Sequence, residues 1–147
     1  MNKISIMLAA PLMLASCGQG DVLFADKAVV NLSPVDGNPS AGYMELHGGR
    51  LDVTLVGVTS DDVMRMEMHE TVEKDGMASM EKLKSIPVPA GETVKLEPGG
   101  KHLMIWGVGE YSKQRGLLTM TLIYSNNDRI EINAAVRKAG EAAPVAE

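Results

Sequence analysis

The sequence predicts a single all-β domain, folded as an antiparallel β-sandwich or barrel. The chain has 147 residues, of which 45% are hydrophobic and 22% charged, as expected of one ordinary globular domain. Short runs with period-2 alternation of apolar side chains recur along it, separated by turn residues about every ten positions. A convincing amphipathic helix is absent from the pattern, apart from a short candidate at 109–115.

The predicted elements follow in chain order. A first strand lies within 21–32, and 33–41 is a loop that contains Pro34 and Pro39. A turn at 125–128 joins the last two strands, and 138–147 is a frayed tail of Ala, Glu and Pro. Apolar alternation places the other strands around 43–46, 51–55, 64–68, 94–96, 103–105, 118–124 and 130–136.

The N-terminus resembles a lipoprotein signal peptide. A short basic segment precedes an apolar run over 4–14, which is too short to span a bilayer and ends in Leu-Ala-Ser-Cys. We expect cleavage after residue 16, a lipid on Cys17 and a short attachment segment over 17–20. The alternatives are a small buried Cys, or a secretory signal that is cut without lipid. The folded domain is then 21–137, exported to the periplasmic side of a bacterial membrane and attached only through lipid.

Composition excludes several functions. The net charge of −5 and an aromatic content of 3% argue against nucleic-acid binding. We find no Ser/His/Asp spacing, catalytic Cys or conspicuous carboxylate pair, so an enzyme is not expected. Cys17 is the single Cys, which excludes a blue-copper electron-transfer site.

Two imidazoles and two thioethers form the chemically informative set. They are His69, Met80, His102 and Met104, with ten, twenty-one and one residues between successive members. Imidazole and thioether together favour Cu(I). Met also avoids the disulfide formation that Cys ligands undergo in an oxidising compartment.

Strand geometry explains how such a set can converge. His102 and Met104 are two apart on a strand and share one face, while Leu103 points to the core. His69 ends the strand predicted at 64–68, and Met80 follows a turn at 75–76. Two strands and a loop would therefore meet at one ion.

This spacing is similar to that of the periplasmic copper chaperones that supply the CuA centre of cytochrome c oxidase, the PCuAC family. The resemblance implies a cupredoxin-like, Greek-key β-sandwich in which these four residues bind one Cu(I) per chain. It also implies delivery to the oxidase CuA subunit or to a Sco-type assembly protein, with a monomer as the expected state. The 138–147 segment has neither His nor Met, so a tail site is not expected. The resemblance is carried by residues 42–44, 68–71, 75–77, 86–91 and 98–104.

Two other functions are compatible with the pattern. A copper storage or resistance protein would use the same four residues and differ only in its partner. A metal-free lipoprotein could instead be an interaction module of the cell envelope, with an exposed apolar patch as its main feature.

Several neighbouring residues have alternative roles. Met77 and Trp106 could contact copper or only pack, and Glu70 could hydrogen-bond a ligand imidazole or remain solvated. His47 is expected in an exposed turn. Adaptable core packing is the expected role of Met64, Met66 and Met68.

Overall fold

The computed structural model describes residues 22–139 and 141, which form ten β-strands and one short helix. The predicted signal peptide, the attachment segment with Cys17 and most of the predicted tail lie outside the described residues. The strands are β1 (Phe24–Asn31), β2 (Ser40–His47), β3 (Val53–Thr59), β4 (Arg65–Lys74), β5 (Met77–Leu83), β6 (Ile86–Val88), β7 (Thr93–Leu96), β8 (Lys101–Trp106), β9 (Leu117–Tyr124) and β10 (Arg129–Arg137), and the helix α1 (Glu110–Arg115) precedes β9.

All ten strands belong to one continuous sheet. Its order is β5-β4-β8-β2-β1-β10-β9-β3-β6, and β7 pairs with β2 beside this path. The pairs are antiparallel except for β1 and β10, which run parallel with Val29 opposite Ala135. The prediction of an all-β domain is therefore confirmed, with one parallel pair that the sequence pattern did not indicate.

A single hydrophobic core lies between the two halves of the sheet. Strands such as β2 and β9 alternate buried with more exposed side chains. The inner residues of the sheet form one cluster that includes Leu46, Leu55, Leu103 and Leu122, all fully buried. Burying a side chain of this size contributes about 1.5–3 kcal/mol relative to leaving it exposed. This shared core holds the halves together as a β-sandwich and fixes which face of each strand points outward.

Strand β4 differs from its prediction in length and in one core residue. It continues to Lys74 because it pairs with β5 on one side and β8 on the other. Met68 is buried and Met66 packs against the core, as predicted. Met64 lies before the strand and is 85% exposed, so the prediction that it belongs to the core is wrong.

The helix α1 is capped by a side chain from outside it. Gly109 precedes the helix and has no side chain, and Asp62 Oδ2 instead accepts a hydrogen bond of 2.8 Å from the backbone N–H of Ser112. Hydrogen bonds from the side chain of Ser112, and secondly from its backbone N–H, hold the pKa of Asp62 below its usual value. Gly116 ends the helix with a positive φ of 68°. Among the described residues, no helix combines the length and the apolar character that crossing a membrane requires.

Candidate metal centre

The predicted ligands lie on the outer face of neighbouring strands. His102 and Met104 alternate on β8 with the buried Leu103, as predicted. His69 on β4 is directly opposite His102, and cross-strand partners point to the same side of a sheet. The ring centroids of the two histidines are 6.1 Å apart, with their planes inclined by 31°.

Met80 reaches this face through a hairpin. Asp75 and Gly76 form the predicted turn, with φ values of 54° and 76° that suit a two-residue hairpin loop. The turn pairs β4 with β5 and places Met80 opposite Thr71, two residues beyond His69. Met80 therefore lies on a strand rather than a loop, and His69 lies within β4 rather than at its end. Both corrections follow from the extension of β4.

A tight turn holds His102 in one orientation. Pro98 and Gly99 occupy the centre of a turn that is closed by a hydrogen bond of 3.1 Å from Gly100 N–H to the carbonyl of Glu97. The carbonyl of Gly100 then accepts a 3.0 Å hydrogen bond from His102 Nδ1–H. Because a carbonyl can only accept, Nδ1 carries the proton and Nε2 keeps a free lone pair. His102 is only 5% exposed, so little water competes for that lone pair.

A carboxylate holds His69 in the opposite tautomer. Glu67 Oε2 accepts a 3.0 Å hydrogen bond from His69 Nε2–H, which leaves Nδ1 as the lone-pair nitrogen. Glu67 Oε1 accepts a second hydrogen bond, of 2.9 Å, from Lys82 Nζ. The two bonds, that of His69 first, lower the pKa of Glu67 to about 2. His69 Nδ1 is buried and has no hydrogen-bond partner within the described part of the chain, as expected of an atom reserved for a metal ion.

The exposed side of the site lies at strand β5. Strand β5 is at the end of the sheet, and its Met80 is 60% exposed, whereas the histidines lie deeper. The donors are soft thioethers and imidazoles, which match Cu(I) better than a hard cation. A pocket of about 230 Å³ is lined by Met80, His102 and Met104, with Tyr43, Thr71 and Pro98 among its other walls. His69 is not among the residues that line this pocket, and its ring lies 6.1 Å from that of His102.

The remaining neighbours take simpler roles. Glu70 pairs with Lys101 at 2.9 Å rather than with a ligand imidazole, and Glu67 instead accepts the hydrogen bond from His69. Trp106 stacks under the guanidinium of Arg65, 4.0 Å from the ring centroid, in agreement with packing. Met77 is 72% exposed and lies three residues before Met80 on β5, so its side chain points to the opposite face of the strand.

His47 also departs from its prediction. It ends strand β2 and is not in an exposed turn, because β2 pairs with both β1 and β7 up to that residue. Its side chain is mostly buried and hydrogen-bonded on both ring nitrogens, to Thr93 and Asp26.

Comparison with known proteins identifies the family. The model of the LpqE-like family, which is described as one of candidate lipoproteins, matches residues 24–136. The chain belongs to this family. A related protein, Lxx21020 of Leifsonia xyli subsp. xyli, also carries the name of a candidate lipoprotein and is 33% identical over 84 residues. This match covers 56% of the chain and 51% of the relative, so the chain spans about half the length of the curated relative that it matches.

Solved structures of PCuAC domains share the fold. A copper-bound PCuAC domain from PmoF2 is 21% identical with a TM-score of 0.60, covering 78% of this chain and 91% of that domain. The Cu(I) form of DR1885 from Deinococcus radiodurans is 25% identical with a TM-score of 0.61, covering 84% of this chain and 81% of the other. The apo PCuAC domain of PmoF2 has a TM-score of 0.62 at 19% identity, over 80% of this chain and 90% of that one. These likenesses confirm the predicted fold and the resemblance to PCuAC domains.

Proposed function

We propose that this LpqE-like protein carries copper and binds one Cu(I) ion per chain between His69, Met80, His102 and Met104. The observation that carries the proposal is the paired tautomer control of the two histidines. Glu67 and the carbonyl of Gly100 each take one ring N–H, so that each imidazole keeps one lone pair on the face that holds the thioethers. The copper-bound PCuAC domain of PmoF2 supports the choice of copper, and the Cu(I) form of DR1885 supports its oxidation state.

The unequal burial of the donors suits a carrier. His102 is deeply buried and its ring is held by Gly100, so it acts as the fixed part of the site. Met80 is exposed on an edge strand, and thioethers are weak ligands that carry no proton. A thiolate or imidazole of an acceptor can therefore replace Met80 first and the deeper ligands afterwards. This transfer is ligand exchange and involves no catalysis.

We further propose that the ion is delivered to the CuA subunit of cytochrome c oxidase or to a Sco-type assembly protein. The Cys17 motif and the lipoprotein names of the family and of Lxx21020 support export and lipid attachment on the periplasmic side of a bacterial membrane. A monomer suits this role, because the acceptor must reach the open side of the site at the edge strand.

The test is an anaerobic Cu(I) titration against a chromophoric chelator. We expect one tight equivalent in the wild-type protein and its loss in the double variant Met80→Ala/Met104→Ala. The matched control is Met64→Ala/Met77→Ala, which removes two other exposed thioethers and should leave the affinity unchanged. Retained binding in the first variant, or equal loss in both, would contradict the ligand set. Failure of the wild-type protein to compete with the chelator would favour the metal-free interaction module.

A second experiment separates delivery from storage. The Cu(I)-loaded protein is mixed with an apo CuA domain, and the purple CuA absorption is followed after oxidation. Transfer at equimolar ratio supports delivery, as does a respiratory defect of a deletion strain that added copper rescues. Retention of the ion in the presence of the apo CuA domain, and in a parallel mixture with an apo Sco-type protein, would instead favour a storage or resistance protein.

A further inference from the structure

A second group of metal-ligating side chains lies on the outer face of β1 and β2. Asp26 is paired with Glu45 across the two strands, and His47 follows two residues later on β2. One ligand atom from each of the three lies within 4.8 Å of the other two. His47 Nε2 is 2.9 Å from Asp26 Oδ1 and 3.9 Å from Glu45 Oε2. The three donors thus converge without any rearrangement of the backbone.

The His47 ring is held on its other sides. Phe24, its cross-strand partner, stacks on it with ring centroids 4.2 Å apart and an interplanar angle of 12°. His47 Nδ1 is 2.9 Å from Thr93 Oγ1. A hydroxyl can accept or donate, so this bond survives whether Nε2 carries a proton or a metal ion. A fixed ring with a hydrogen-bonded second nitrogen is the usual arrangement of a metal-binding histidine.

An irregularity in β1 shapes the carboxylate side of the cluster. The register between β1 and β2 shifts between Asp26 and Val29, and Lys27 adopts a positive φ of 51°. Such bulges redirect side chains at the edge of a regular ladder. Here the bulge begins directly after Asp26, while the pairing of Asp26 with Glu45 is kept.

Two lysines accompany the cluster and do not block it. Lys27 Nζ is 3.1 Å from Glu45 Oε2, and Lys95 Nζ is 3.7 Å from Glu45 Oε1. Both lysine side chains are exposed, and exposed ion pairs of this kind are weak. A divalent cation can therefore displace Lys27 from Glu45, while the lysines offset part of the charge of the two carboxylates when the ion is absent.

We propose that Asp26, Glu45 and His47 bind a divalent cation of the borderline class, represented by Zn²⁺. One imidazole and two carboxylates, with no thioether, select a harder ion than the His/Met set does. Both sites lie on the outer face along β2, since Ala41 pairs with Met104 and His47 lies six residues further along. At about 3.3 Å per residue the sites are roughly 20 Å apart, so each can be filled independently. This inference does not depend on the proposed copper function.

The proposal is tested by Zn²⁺ titration of the purified protein against a chromophoric zinc chelator. We expect an equivalent of Zn²⁺ whose affinity falls at least tenfold in His47→Gln and in Asp26→Asn. The same equivalent should persist in His102→Gln, the matched control that changes the other histidine site. Circular dichroism and Cu(I) titration of the two cluster variants check that the fold is intact. The half-exposed position of Asp26 makes its variant the safer of the two.

The remaining outcomes also decide the matter. Two equivalents in the wild-type protein, one lost in His47→Gln and the other in His102→Gln, would support the proposal. Zinc binding that is lost only in His102→Gln would overturn it and place the ion at the His/Met site. Equal affinity in all variants, or no zinc binding, would overturn it as well and reduce the cluster to an ion-pair network.

Discussion

Replacement of Glu67 by Gln is expected to weaken Cu(I) binding about tenfold. Glu67 touches no predicted copper donor atom and acts through His69, whose Nε2–H it accepts at 3.0 Å. Loss of such a partner typically costs 10–100-fold in metal affinity, because the imidazole loses orientation and basicity. Gln retains an oxygen acceptor and removes only the charge, which gives the lower end of this range. Glu67→Leu removes the acceptor too and should approach about 100-fold.

Competition with a chromophoric Cu(I) chelator measures both variants, and Glu70→Gln is the matched control. Glu70 is on the same strand and its substitution removes the same charge, but its carboxylate pairs with Lys101, whereas the His69 ring is hydrogen-bonded to Glu67. High salt in the assay screens the charge of Lys82, which loses its carboxylate partner in the Glu67 variants. Equal weakening by Glu67→Gln and Glu70→Gln would refute the argument from hydrogen bonding, and unchanged affinity in Glu67→Leu would refute the role of Glu67.

Acid should remove the contribution of Glu67 only at very low pH. Its pKa is lowered from 4.5 to about 2, so the folded state favours the ionised carboxylate. The stabilisation by Glu67 is then complete above pH 4.5 and disappears as the pH falls through about 2. The difference in unfolding midpoint between wild type and Glu67→Gln should follow this course in urea titrations, and a difference that persists below pH 2 would contradict it.

Three further predictions concern stability, measured by urea or thermal unfolding. Tyr124→Phe should stabilise the protein by about 1 kcal/mol, since the Tyr124 hydroxyl is buried without a hydrogen-bond partner among the described residues. Burial raises the pKa of Tyr124 to about 12, so the stability of the wild-type protein should fall above pH 10, where the phenol of the unfolded chain ionises. Met120→Ala should cost about 2–5 kcal/mol because Met120 is fully buried, whereas the exposed Met64→Ala should change stability by less than about 0.5 kcal/mol. Gly48→Ala should lower the melting temperature, because a Cβ at Gly48 would overlap the carbonyl oxygen of Pro89 and force the backbone to move.

The sequence predicted the strands that bury one face. In β2 and β9 buried side chains alternate with more exposed ones, and this alternation is visible in the sequence as period 2. Strand β5 has exposed side chains on both faces, and β6 has only three residues with Pro87 in the middle. Strand β5 therefore carries no apolar alternation and β6 is too short to show one, so these two are missing from the eight strands placed from the sequence, whereas the described residues form ten.

The period-2 pattern also did not predict which strands pair with each other, for a different reason. The parallel pairing of β1 with β10 joins residues about a hundred positions apart. Local alternation says which face of a strand is buried but not which strand lies beside it. The proposed convergence of ligands from β4, β5 and β8 on one ion was indicated only by the spacing of the His/Met set and by its resemblance to a known family.

The hydrogen-bond partner of His69 was not predicted because the end of strand β4 was placed too early. With β4 predicted to stop at His69, the next residue, Glu70, was free to turn back toward the imidazole. The structure continues β4 to Lys74, so residues two apart share a face and adjacent residues do not. As a result, Glu70 forms a hydrogen bond with Lys101, whereas Glu67 lies on the same face as His69 and forms a hydrogen bond with it. The pattern of Glu67 and His69 on one strand was present in the sequence, but it acquires meaning only when the strand is known to run through His69.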